Sequence, residues 1–134
     1  MISTELAIAL RETGLVWHPM SGDRFQLDEP EFEADVFTVS EMTIEPRHYP
    51  TGTILAFNGT TEWALDSVAL EDALWLPRED QLRELLRGTF RALRRLTDTH
   101  EVEIEIAGAT EVFTHPEPAD AYALALLHVL RRIA

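Results

Sequence analysis

The chain has 134 residues, 46% hydrophobic and 26% charged, which is the usage of a single globular domain spanning 1–134. It has no cysteine and no lysine, and 24 acids against 11 arginines leave a formal net charge of −13. Disulfides, Cys-ligated zinc, iron–sulfur clusters, thiol catalysis, Schiff-base chemistry and a P-loop lysine are thereby excluded.

Residues 1–77 hold 14 acids against 3 arginines, whereas residues 78–134 hold 10 against 8. That acidic first half repels a phosphate backbone and an anionic bilayer, so neither nucleic acid nor membrane is expected as a partner. No basic segment leads into an apolar stretch at the start of the chain, and the run 121–130 is too short to cross a bilayer. The chain reads as cytoplasmic.

In chain order, residues 3–13 predict a short helix, with Ser3 or Thr4 as cap, Leu6, Ala9 and Leu10 as its stripe, and Gly14 as its stop. Leu15-Val16-Trp17 predicts a strand ended by His18-Pro19. Ser21-Gly22-Asp23 predicts a turn, and the alternation over 24–27 a second strand. The acidic stretch 28–35, with Pro30, predicts a solvated loop. Alternation over 36–44 predicts a strand, Pro46 and Pro50 bracket a turn, and 53–57 predicts another strand leading into the hairpin signal Asn58-Gly59. Residues 60–73 fit a strand or a helix, with 61–67 favouring strand.

The second half is more regular. Residues 77–87 predict a helix with Pro77 in the first turn, acids at its positive end, and Leu82, Leu85 and Leu86 on its apolar stripe. Residues 89–97 either continue that helix past Gly88 or form a strand against the next segment, and the strand is favoured. It would set Arg94 opposite Glu103 and Leu93 opposite Ile104. Over 101–106 three glutamates alternate with Val102, Ile104 and Ile106, which predicts a half-buried strand. Ala107-Gly108 turns the chain into a strand over 110–114. Residues 118–133 predict a closing helix with Ala123, Leu126, Leu127 and Leu130 on one stripe. The sum is an α+β, two-layer fold with a mostly antiparallel sheet and about three helices: N-terminal, 77–87 and 118–133.

Motifs that carry chemistry are sparse. The chain lacks the P-loop, dinucleotide, nucleophile-elbow and zincin patterns. The five histidines show no metal-ligand spacing, so no metal and no cofactor is expected. His18, Asp23 and His48 flank proline turns and could meet through folding. Asn58, Thr60, Thr61 and Glu62 form the most polar turn beside an aromatic, Trp63, and could present themselves to a ligand or partner.

The stretches Phe57-Asn58-Gly59-Thr60-Thr61-Glu62-Trp63 and Trp75-Leu76-Pro77-Arg78-Glu79-Asp80-Gln81-Leu82 resemble a small acidic actinobacterial family of uncharacterised proteins. Some of its members are labelled pilus assembly proteins. The second stretch, W-L-P-R-x-D-Q-L, also resembles small phage-encoded proteins. The resemblance implies a coherent folded family and brings no activity, cofactor or catalytic residue with it.

Three functions fit these residues. With no recognisable catalytic constellation beside a well-patterned core, a non-catalytic interaction or accessory domain with a protein partner leads. A small enzyme or ligand-binding protein using His18, Asp23, His48 and Glu62 is the second. An acidic inhibitor that mimics nucleic acid is the third.

Overall fold

The computed structural model describes residues 1–27, 35–39, 44–49, 52–57 and 67–133. In chain order the elements are α1 (Thr4–Glu12), β1 (Arg24–Leu27), β2 (Phe37–Thr38), β3 (Ile44–Tyr49), β4 (Gly52–Phe57), β5 (Ser67–Ala69), β6 (Ala73–Leu76), α2 (Glu79–Leu86), β7 (Phe90–Arg95), β8 (His100–Ile106), β9 (Ala109–His115) and α3 (Pro118–Ile133). The fold is α+β, and every strand pairing is antiparallel. The chain groups into two compact units, Met1–Val16 with Pro77–Ala134, and Trp17–Leu76.

The first unit holds all three helices of the described residues and the sheet β7-β8-β9. Helix α1 starts where the Ser3 hydroxyl accepts the Leu6 N–H at 3.3 Å, and Gly14 beyond its end takes φ +95°. At the start of α2 the Gln81 side chain accepts the Arg78 N–H at 2.9 Å, the returning half of a capping box. The helix stops before Gly88 as expected. The positive φ of +54°, however, falls on Arg87 rather than on the glycine. Residues 90–95 are then strand, not a continuation of α2.

The register of β7 on β8 differs from expectation. Arg94 stands opposite Glu101 and Leu93 opposite Val102, two residues away from the predicted partners. The cause is a tight turn: the Leu96 N–H donates to the Thr99 carbonyl at 2.8 Å, leaving only Thr97 and Asp98 in the loop. A bulge between Phe90 and Ala92 absorbs the remaining offset. Because the shift is two residues, no side chain changes face, and Val102 and Ile104 stay fully buried. The β8–β9 turn places both central residues at positive φ, Ala107 at +51° and Gly108 at +80°, as a type I′ hairpin requires.

Helix α3 packs on β8 and β9, and α1 and α2 both contact it. The expected single stripe proves too narrow. Ala119 to Ala123 and Ala125 to Leu127 are all buried, while Leu130 is only half-buried. A helix flanked by several neighbours buries most of its circumference, and small alanines permit that approach. Tyr122 is fully buried against Phe90, with ring centroids 5.8 Å apart, and its hydroxyl has no hydrogen-bond partner among the described residues.

The second unit carries two sheets, β2-β1-β6 and β3-β4-β5. Its core is aromatic: Trp17, Phe25, Leu27, Phe37, Val39 and Ala73, with Trp75 and Leu70 against them. The Trp17 ring lies 5.5 Å from Phe25 and stacks on Trp75 at 6.4 Å, and Phe25 stacks on Phe37 at 5.6 Å.

Two expectations change in this unit. Leu15-Val16-Trp17 is not a strand; Trp17 is instead held in the core by its side chain. Residues 46–49 are not a turn but the body of β3, which pairs with β4 from Ile44↔Phe57 to Tyr49↔Gly52. Among the described residues β3 is an edge strand, the place in a sheet where proline is tolerated because alternate N–H groups have no ladder partner to lose. Of the strand expected over 36–44, Phe37–Thr38 forms β2 and Ile44 opens β3; residues 40–43 lie outside the described residues. So do the loop 28–34, the Asn58-Gly59 turn and residues 61–66 of the strand expected over 61–67.

Candidate functional site

Asp23 immediately precedes β1 and is 3% exposed, which is rare for a carboxylate unless it is fully engaged. Its Oδ2 accepts the Trp17 indole N–H at 2.9 Å and the Met20 N–H at 3.0 Å. The Asp23 N–H in turn donates to the Met20 carbonyl at 3.0 Å, and Gly22 turns with φ +92°. Asp23 thus closes the 20–23 turn and locks Trp17 into the aromatic core. His18, in the same stretch, is exposed. His48 lies in β3 with Thr53 as its backbone partner on β4. Asn58, Thr60, Thr61 and Glu62 lie outside the described residues.

The first unit brings other ionisable groups together. His115 ends β9, its Nδ1 accepts the Glu117 N–H at 3.0 Å, and its Nε2 lies 3.7 Å from Asp120. Asp120, 5% exposed, accepts the Ser3 N–H through its other oxygen at 2.7 Å. The Met1 ammonium reaches Glu117 at 3.0 Å, and its hydrogen bond holds that carboxyl below the ordinary value. These contacts clasp the start of the chain to the start of α3. On the far part of the helix His128 pairs with Glu111 of β9, and its ring packs on Phe113 at 5.4 Å. Among the described residues no three His, Asp or Glu side chains converge as a metal set.

A shallow, open cleft of about 510 Å³ is lined by Arg83, Glu84, Leu85, Arg87 and Phe90. Arg83 stands in the last turn of α2 and Arg87 just beyond it, where positive charge complements the carbonyl end of a helix. Helix termination accounts for both arginines without a ligand.

The sheet β7-β8-β9 presents a different kind of surface. α3 covers one of its faces. On the other, Arg94 bridges Glu101 at 3.2 Å and Glu103 at 3.0 Å, and Arg91 reaches Glu105 at 3.2 Å. The Glu103 and Glu101 carboxylates raise the Arg94 guanidinium above its ordinary pKa. Each glutamate of β8 is therefore paired with an arginine of β7. Beside them, β9 exposes an uncharged row, Thr110, Val112 and Thr114, with Val112 49% exposed.

β9 is also the edge of its sheet, and it pairs with β8 without a break over all seven residues. Its outer backbone groups have no strand partner among the described residues. Sequence alternation marks 110–114 as strand, but nothing in that pattern tells an edge from a centre. No family model matches the chain, and it matches no curated protein and no solved structure. No helix of the described residues is long and apolar enough to cross a membrane.

Proposed function

We propose that the chain is a non-catalytic protein-interaction domain that engages its partner along β9, acting as a cytoplasmic accessory protein. One observation carries this reading: a seven-residue edge strand, free of proline and bulge, whose exposed row Thr110-Val112-Thr114 bears no charge. Open edges present unpaired N–H and C=O groups that another strand can satisfy, and proteins usually blunt them. The net charge of −13 favours a protein partner over nucleic acid. The carboxylate of Asp23, one of the two acids expected in a His/carboxylate site, is already engaged by Trp17 and Met20, which weighs towards binding rather than catalysis.

The test is crosslinked capture from source lysate with tagged wild-type chain and with Val112→Lys. A partner, an untagged copy of this chain included, that crosslinks within 109–115 and is lost with Val112→Lys supports the reading. Capture that is indifferent to the substitution, or crosslinks that map elsewhere, overturns it. Val112 is about half exposed, so lysine there leaves the fold intact.

A further inference from the structure

We propose that the partner of β9 is a second copy of this chain, the two strands pairing antiparallel about a two-fold axis through Val112. The inference rests on the β9-edge reading above and names its occupant. The strand Ala109-Thr110-Glu111-Val112-Phe113-Thr114-His115 is self-complementary about its centre. Antiparallel pairing there sets Val112 opposite Val112 of the second copy and Thr110 opposite its Thr114, both favourable cross-strand pairs. On the other face Glu111 stands opposite Phe113, so no carboxylate meets another carboxylate.

Charge and strand chemistry favour this edge over β7 and β3. A chain of net charge −13 repels its own copy, so self-association needs a surface poor in acids. Residues 109–115 hold one acid, Glu111, and it is already paired with His128 of α3. The opposite edge of the same sheet, β7, is bulged at Arg91 and carries Arg94 and Arg95 exposed, the devices that keep an edge unpaired. Edge strand β3 of the second unit contains Pro46, which cannot donate. Pairing at β9 extends β7-β8-β9 into a six-stranded antiparallel sheet. The two-fold axis stands perpendicular to the sheet, so both α3 helices lie on one face.

The test is sedimentation equilibrium of the full chain over a concentration series, with two exposed-site double variants. Wild type is expected to dimerise, more tightly as salt rises and screens the net charge. In T110K/T114K each lysine meets a lysine across the axis, and the dissociation constant is expected to rise about tenfold or more. In T110K/T114E each lysine meets a glutamate, and dimerisation is expected to return to within about threefold of wild type. Amide exchange over 109–115 should slow with concentration in wild type and T110K/T114E only.

A wild type that stays monomeric overturns the proposal, as does a dimer equally disturbed by both variants. If it stays monomeric while crosslinked capture from lysate still depends on Val112, the edge binds an extended segment of another protein and only the self-pairing is lost. If both fail, the edge reading itself is lost.

Discussion

In the first unit one helix organises everything: α3 buries eight residues between two strands and two other helices, most of them alanine or leucine. In the second unit no described helix exceeds a single 3-10 turn, and the described core joins Trp17, Phe25 and Phe37 to Leu27, Val39 and Ala73, with the buried Asp23 bonded to the Trp17 indole. The first unit buries mainly alanine and leucine along α3, with Asp120 and its bond to the Ser3 N–H as the polar exception, so the cost of failure in that core is a cavity. The second depends on polar contacts at Asp23, so its cost of failure is an unsatisfied donor. All three tryptophans, at 17, 63 and 75, fall within 17–76, whereas all three α-helices of the described residues fall outside it. Tryptophan fluorescence and helical circular dichroism therefore report on the two units separately.

The largest expected effect tests the helix-centred core. Leu126, 1% exposed, is expected to cost about 2–5 kcal/mol on Leu126→Ala, with the circular-dichroism transition moving first. Next comes Asp23→Ala, expected to cost about 1–3 kcal/mol because the Trp17 indole and the Met20 N–H both lose their acceptor. Its mark is a red-shifted tryptophan emission with the helical signal retained. If each variant moves both probes equally, the two cores melt as one and the contrast between them disappears.

The smallest effect is at the clasp. Glu117 is held below its ordinary value of 4.5 by the Met1 ammonium. A carboxyl depressed on folding contributes stability above its unfolded value and loses it as pH falls through the folded one. Glu117→Gln is therefore expected to be slightly less stable than wild type at neutral pH. The difference should shrink as pH falls below the ordinary value of 4.5 and through the folded one in pH-dependent denaturant melts, and a constant offset at all pH values would remove the clasp's electrostatic role.

Much of the first unit was legible because its signals are local. Ser3 as a cap, Pro77 and Gly88 around α2, the Glu/Val/Ile alternation of β8 and the Ala107-Gly108 turn each act within a few residues. Legibility fell wherever a distant partner decides. Val16 and Trp17 have strand propensity, yet Trp17 is placed by its indole bond to Asp23. Pro46 reads as a turn residue until its strand is known to be an edge. Of the candidate site residues, Asp23 reads in the sequence as a carboxylate near His18, but only folding shows it buried and closing a turn. Thr110, Val112 and Thr114 carry no such signal, because a neutral alternating strand looks the same at an edge as in a sheet's middle.

Composition by itself determined which chemistries this protein lacks, since a side chain that is not encoded cannot act. Periodicity determined the α+β class, because the 3.6- and 2-residue repeats of apolar side chains are properties of the backbone. The tertiary structure alone decided the β7–β8 register, the breadth of α3's buried surface and the position of β9 at an open edge. Each depends on what lies across a contact many residues away, and the free energy of a contact belongs to both of its partners.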